Sequence, residues 1–176
     1  MRLTAMRALA LAVLATASLA APAAAECEKD AINVGSRLPE LKGALDGNGK
    51  AFTVKAVKGP WTFVTIGAEW CKPCAKELPA WDAIAPEFKG KIAFVAVNIN
   101  HAIADGKKFN AKLKLKNMTL VYMNEEKAGS LAATMPTTFV ADDKGIVRYA
   151  HCGFEKQDVA GEVAKMKADL AKLVAK

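Results

Sequence analysis

The sequence predicts an α/β fold, a central mixed β-sheet flanked by helices, and three observations predict it. A β-branched and aromatic run (61–66), a helix-compatible run (75–88) and a second apolar run (92–97) follow one another as a βαβ unit. Two later apolar runs, 137–140 and 146–151, flank the turn Asp142-Asp143-Lys144-Gly145 as an antiparallel hairpin. Val159, Val163, Met166, Leu170, Leu173 and Val174 recur at mostly three- and four-residue spacings, the apolar stripe of a closing helix.

Each element has its own local warrant. Residues 26–39 are polar and irregular. Asp46-Gly47-Asn48-Gly49 is a turn signal, and residues 51–57 alternate like a strand. Lys58-Gly59-Pro60 turns the chain into the run 61–66, which reads as a buried strand. In the following helix Leu78, Trp81, Ile84 or Ala85, and Phe88 share a face. Pro79 should kink it, Pro86 should distort its last turn, and Gly90 ends it. With the strand 92–97 parallel to the first, the crossover should be right-handed. Asp105 is placed to cap a helix ending near Leu113, with Phe109 and Leu113 inward. Residues 120–123 suit a short strand and 127–133 a short helical turn.

The 176 residues suffice for one domain with a real core. The first 25 are expected to lie outside it. Arg2 and Arg7 form a basic start, residues 8–21 are apolar, and Ala23-Ala24-Ala25 fits a small-x-small cleavage pattern. Residues 1–25 therefore read as a signal peptide cleaved before Glu26, leaving a domain over 26–176; an uncleaved anchor is the alternative. Glu26 before Cys27 argues against a lipid-anchored cysteine, and no later segment is long and apolar enough to cross a bilayer. Cleavage takes the net charge from +7 to +5. Much of the excess is local, at Lys107, Lys108, Lys112, Lys114 and Lys116, and a solvated helix face and loop explains it better than an acidic partner or a membrane surface. Nucleic acid is not expected of an exported chain without aromatic interleaving in that stretch. A monomer is expected.

Trp70-Cys71-Lys72-Pro73-Cys74 carries the chemistry. Two cysteines two residues apart, where a buried strand turns into a helix, can close a disulfide or open to a dithiol. The unpaired amides and the positive end of the helix dipole there stabilise a thiolate. C-x-x-C beside a βαβ pattern is itself a recognised sign of thioredoxin-like redox chemistry. Cys74 is followed by Ala75, not His, so a covalent haem site is absent from this motif. Cys27, Cys71, Cys74 and Cys152 lack the second close pair that a four-cysteine zinc site would need, and no metal is expected.

In order, strand, Trp-Cys-x-Pro-Cys, proline-bearing helix, strand, and Met135-Pro136-Thr137-Thr138-Phe139 before a hairpin and a last helix, the chain resembles the thioredoxin fold. Val34-Gly35, Pro39, Asp46-Gly47 with Phe52-Thr53-Val54, and Cys74-Ala75-Lys76-Glu77-Leu78-Pro79 resemble its exported TlpA/ResA-like branch of thiol-disulfide oxidoreductases, over about residues 33–174. The resemblance implies an added N-terminal hairpin, no cofactor beyond the redox-active disulfide, and a peptide-binding edge at Trp70, Pro73, Met135 and Pro136, with Pro136 as the family's cis-proline.

Cys71 should lie exposed at the helix start and attack a partner disulfide; Cys74, more buried, should resolve the mixed disulfide. Lys72 adds positive charge beside the pair. Where cytoplasmic thioredoxins carry a buried Asp, this chain has Thr65, which cannot act as a base near neutral pH. Glu77 shares a helix face with Cys74, and the resemblance implies that it assists proton transfer; a surface glutamate is the alternative. Some family members join the regions of Cys27 and Cys152 by a structural disulfide. Here it would close a loop of about 125 residues and contribute about 4–5 kcal/mol in the chain-entropy account. Free thiols or intermolecular pairing stay open alternatives. A copper role for His101 or His151 is disfavoured by the C-x-x-C spacing, and a peroxidase by the lack of a P-x-x-x-T-x-x-C run.

The expected activity is reduction of disulfides in exported, periplasmic client proteins, with cytochrome c maturation or copper-site assembly as the setting and a membrane thiol-disulfide carrier as electron donor. A disulfide-forming oxidase and a non-enzymatic Cu(I)-binding module are the alternatives.

Overall fold

The computed structural model describes residues 32–57, 59–132, 134–153 and 158–175. The proposed leader 1–25 and Cys27 fall outside them. Six strands form one sheet: β1 (Leu45–Asp46), β2 (Trp61–Gly67), β3 (Ile92–Asn100), β4 (Thr119–Asn124), β5 (Thr137–Asp142) and β6 (Val147–Cys152), in the spatial order β1-β4-β3-β2-β5-β6. β2, β3 and β4 run parallel; β5 is antiparallel to β2, β6 to β5, and β1 to β4. The helices are α1 (Cys74–Ile84), α2 (Ile103–Leu113), α3 (Glu125–Ala128) and α4 (Val159–Leu173). Among the described residues no helix is long and apolar enough to cross a membrane.

β2 and β3 lie mid-sheet and are buried on both faces, which is why they read as continuous apolar runs. One face carries Phe63, Phe94, Ala96, Val140 and Tyr149 against Leu78 and Trp81 of α1, Phe109 of α2, and Met166 and Leu170 of α4. Phe63 meets Trp81 edge-on at 5.0 Å and Phe94 at 4.6 Å between ring centres. The opposite face, Val64, Ile66, Val95, Val97, Ile99, Val121 and Phe139, is covered by Leu41, Ala44 and Ala128.

Four boundaries differ from the sequence expectation. The helix 75–88 divides into α1 and a 3-10 turn, Ala85–Phe88, because Pro86 has no N–H to continue the α pattern; Gly90, at φ +79°, ends the segment. The strand 51–57 shortens to Ala51, bridged to Leu45 across the Asp46 turn, and gives way to a 3-10 turn at Val54–Ala56. Phe52, Val54 and Val57 all pack on one core face. Strand alternation would send Val57 away from Val54, whereas a 3-10 turn aligns residues three apart. Helix α2 begins at Ile103, with Ala102 as its N-cap; Asp105 sits in its first turn. The short helical turn starts earlier than 127, because the Asn124 side chain accepts the Glu126 N–H and caps α3; a 3-10 turn, Gly129–Ala132, follows.

β3 also runs three residues past the apolar stretch. Asn98 and Asn100 are buried there, hydrogen-bonded to each other, and Asn98 bonds Asn110 of α2 at 3.1 Å. Helix α2 settles onto this polar patch at Gly106. A Cβ at Gly106 would stand 2.7 Å from Asn98 Oδ1 and 2.8 Å from Asn100 Nδ2. Gly106→Ala is therefore expected to lower stability by about 1–3 kcal/mol, despite the better helix propensity of alanine. A urea midpoint equal to or above the parent's would contradict this.

Candidate active site

Cys71 and Cys74 form a disulfide with Cα atoms 5.3 Å apart, at the end of β2 where the chain enters α1. Cys74 is the first helical residue and is 0% exposed; Cys71 is 5% exposed, so both are buried. The expectation of an openly exposed Cys71 is corrected: only a small part of the residue reaches the surface. The order of accessibility is as expected, and Trp70 beside it is half exposed. The Cys74 N–H donates to Cys71 Sγ at 3.3 Å. In the dithiol form that amide, at the positive end of α1, is placed to stabilise a Cys71 thiolate. Lys72 is exposed in the intervening turn.

Two features that the motif does not announce hold this loop. At Gly67, the last residue of β2, a Cβ would lie 3.1 Å from Cys74 Cβ and 3.2 Å from its sulfur. The missing side chain leaves the disulfide close against the strand without crowding. Next in line, the Glu69 N–H donates to Asn100 Oδ1 at 3.0 Å, tying the loop to the polar end of β3. A glycine at the end of an apolar run was the available signal for the first; the second joins residues 31 apart and had none.

The facing segment comes from the last third of the chain. Thr137 pairs with Ile66, which places the Met135–Pro136 bond beside the end of β2. That bond is cis. Met135 is half-buried and packs against the cluster that contains both cysteines, and the Pro136 carbonyl accepts the Gly153 N–H at 2.8 Å.

Glu77 is 1% exposed, so it is no surface glutamate. Its Oε1 accepts the Trp81 indole N–H at 2.6 Å and the Thr138 hydroxyl at 3.4 Å; its Oε2 has no partner among the described residues. Burial, the largest influence, pushes its carboxyl up from the ordinary 4.5 to about 7; the two hydrogen bonds oppose this and the charge of Glu162 adds to it. Thr65, also buried, lies directly across from Thr138 in the β2–β5 ladder. Thr138 was not singled out from the sequence, because its contact with Glu77 spans 61 residues. Cys152 stands apart, opposite Thr137 at the end of β6, and its sulfur is in a disulfide; Cys27, its expected partner, lies outside the described residues.

Residues 34–150 match the AhpC/TSA family. The chain belongs to that family. It is 26% identical over 143 residues to the thiol-disulfide oxidoreductase ResA of Geobacillus kaustophilus, across 80% of this chain and 82% of that protein. It is 30% identical over 109 residues to the thioredoxin-like protein YneN of Bacillus subtilis, across 60% of this chain and 64% of that one, which is under two thirds of that relative's length. A crystal structure from Chlorobium tepidum, assigned as thiol:disulfide interchange protein DsbE, superposes with a TM-score of 0.65 at 26% identity. It is matched over 80% of this chain and 99% of that one. The thioredoxin-like fold and the Cys71–Cys74 disulfide thus belong to a thiol-disulfide oxidoreductase, similar to ResA and DsbE.

The buried acid makes stability depend on pH. Below pH 4.5 the Glu77 carboxyl is protonated whether the chain is folded or not. Between 4.5 and about 7 the unfolded chain gives up that proton while the fold keeps it. Folding therefore loses stability as pH rises through this window, by about 3 kcal/mol at the limit, and no more above it. Glu77→Gln should abolish this component and be more stable than the parent at neutral pH. Parallel urea titrations from acid to neutral pH check it; identical pH profiles for the two proteins would contradict it.

Proposed function

We propose that the protein is exported and reduces disulfides of specific periplasmic clients, with Glu77 as the proton acceptor for Cys74. The observation that carries the chemical part is the buried carboxyl of Glu77, one helical turn from Cys74 and poised near neutral pH. The basic start, apolar run and Ala23-Ala24-Ala25 of the first 25 residues support export. Likeness to ResA and DsbE supports disulfide exchange with other proteins. Cytochrome c maturation or copper-site assembly is the proposed setting.

In the reduced protein the Cys71 thiolate attacks one sulfur of a client disulfide, and the client's other sulfur leaves as a thiolate that takes a proton from water. A Cys71–client mixed disulfide results. Cys74 then passes its thiol proton to Glu77. The Cys74 thiolate attacks Cys71 Sγ, and the client's second sulfur leaves with the bonding pair. The client has gained two electrons and the protein holds the Cys71–Cys74 disulfide. The half-exposed Trp70 and the Met135–Pro136 edge are proposed to seat the client backbone by strand addition. An oxidising compartment requires a dedicated donor to restore the dithiol, and a membrane thiol-disulfide carrier fits that need.

Electron direction is tested by the reduction potential of the Cys71–Cys74 couple in a glutathione redox titration. A reductant should lie at about −200 mV or below, and a value near that of a strong oxidant, about −120 mV, would make the protein an oxidase instead. Cys74→Ala should accumulate mixed disulfides through Cys71 in the exported fraction of cells. Mass spectrometry of those adducts identifies the clients, and no adduct above that of a double cysteine variant would overturn the client reading. Glu77→Gln should slow the resolving step about ten- to a hundredfold at neutral pH in stopped-flow exchange; a parental rate would remove the carboxylate from the mechanism.

A further inference from the structure

Strand β2 ends where the redox motif begins, and its backbone ladder to β3 ends with it: Gly67 opposite Asn98 is the last pair. The chain then turns, with the Cys71 N–H donating to the Ala68 carbonyl at 3.2 Å. Just past that last pair a side chain of β3 takes over from the ladder. Asn100 Oδ1 accepts the Glu69 N–H at 3.0 Å, as a carbonyl of a longer strand would. The Asn100 amide nitrogen donates to Asn98 Oδ1, and Asn98 Nδ2 donates to Asn110 Oδ1 of α2 at 3.1 Å. The three amides run head to tail from the motif to α2. Asn98, Asn100 and Asn110 are 2%, 1% and 2% exposed. An amide has a distinct oxygen end and nitrogen end, so turning Asn100 over would set two donors face to face at Glu69 and two acceptors at Asn98. The row therefore holds one orientation.

What the row holds is the segment that meets a partner. Glu69 is followed by Trp70, half exposed, and by Cys71, 5% exposed. Through so narrow an opening the sulfur is reached along few directions. A shift of the loop by about 1 Å then decides whether an incoming disulfide lines up with it. The charge on that sulfur is governed elsewhere, by the Cys74 N–H at 3.3 Å, a contact that involves none of the asparagines. We propose that Asn100 is a positioning residue for thiol-disulfide exchange: it sets where Trp70 and Cys71 meet the partner, and Asn98 and Asn110 keep its amide aimed. The inference rests on Cys71 as the sulfur that exchanges with the client. It does not depend on which way the electrons run, because both directions pass through a Cys71–client mixed disulfide. Asn100 touches no reacting atom, so it acts on the geometry of attack and not on the ionisation of the sulfur.

The test uses the full-length chain carrying Cys74→Ala, whose reaction stops at the mixed disulfide, so that attack by Cys71 is the step observed. The probe is a cysteine peptide in disulfide linkage with thionitrobenzoate. The Cys71 thiolate bonds the peptide sulfur, and thionitrobenzoate leaves with the bonding pair and is followed by its absorbance. The second-order rate constant is measured from about pH 5 to pH 10, which spans thiol ionisation. Adding Asn100→Ala should lower its high-pH plateau about tenfold and leave the pH midpoint in place. Asn100→Asp keeps an oxygen toward the Glu69 N–H and should restore most of the plateau. Asn98→Ala, which frees the Asn100 amide to turn, should lower the plateau about threefold. Were Asn100 only a support of the fold, its loss would loosen the loop over a buried sulfur, and the plateau would hold or rise. A plateau at or above the parent's in Asn100→Ala, an Asn100→Asp as slow as Asn100→Ala, or a displaced midpoint with an unchanged plateau would overturn the proposal. If Asn100→Ala does not fold, Asn98→Ala decides, and a parental plateau there overturns it. A Cys74→Ala chain that reacts no faster than the double cysteine variant overturns Cys71 as the exchanging sulfur as well, whereas a reactive Cys74→Ala chain with parental Asn100 variants overturns the positioning role alone.

Discussion

Helix α1 lies close against β2 at Gly67, where a side chain would crowd Cys74. Gly67 clears the space into which Cys74 packs, and the rest of the site follows from that approach. The same helix then places Glu77 and Trp81 in the core, where the indole N–H holds the carboxylate and the ring packs on Phe63. A Cβ at Gly67 would ask Cys74 to give by a few tenths of an ångström, so the disulfide, Glu77 and the aromatic core are set by one spacing.

Burying a carboxyl among aromatic rings is costly unless its hydrogen-bonding capacity is used. Here it is half used: one oxygen has two donors and the other none. Burial pushes the acid up and the two hydrogen bonds pull it part of the way back, which leaves it near neutrality. Full satisfaction would favour the ionised form at all physiological pH, and no donors at all would hold the acid neutral far above it. Thr65 contributes by what it lacks: a second carboxylate on that strand would compete with Glu77 for the same proton.

The sheet, its flanking helices and the redox pair were legible because their causes are local. β2 and β3 declare themselves by continuous β-branched runs, the 3-10 tail of α1 by Pro86, and the disulfide by spacing. What was not legible depends on meetings across the chain. Asn98 and Asn100 look like the end of a strand, since polar residues in sequence give no hint that Asn110 will accept from Asn98 and that Asn100 will take the Glu69 N–H. Thr138 looks like an ordinary strand residue until α1 brings Glu77 to it. The 51–57 segment misled in the opposite way: its alternation is real, but a single buried face rewards the 3-10 turn that aligns Val54 with Val57.

The placement of β5 between β2 and β6 bears on how the chain acquires its site during synthesis. β2, α1 and β3 are contiguous and can associate early, bringing Cys71 and Cys74 together while the last third of the chain is still missing. Pairing β5 with β2 closes a separation of more than 70 residues, the kind of non-local contact that forms late. Until it forms, the thiols have no facing wall and Glu77 no Thr138. The nascent chain thus carries its cysteines before it carries their control.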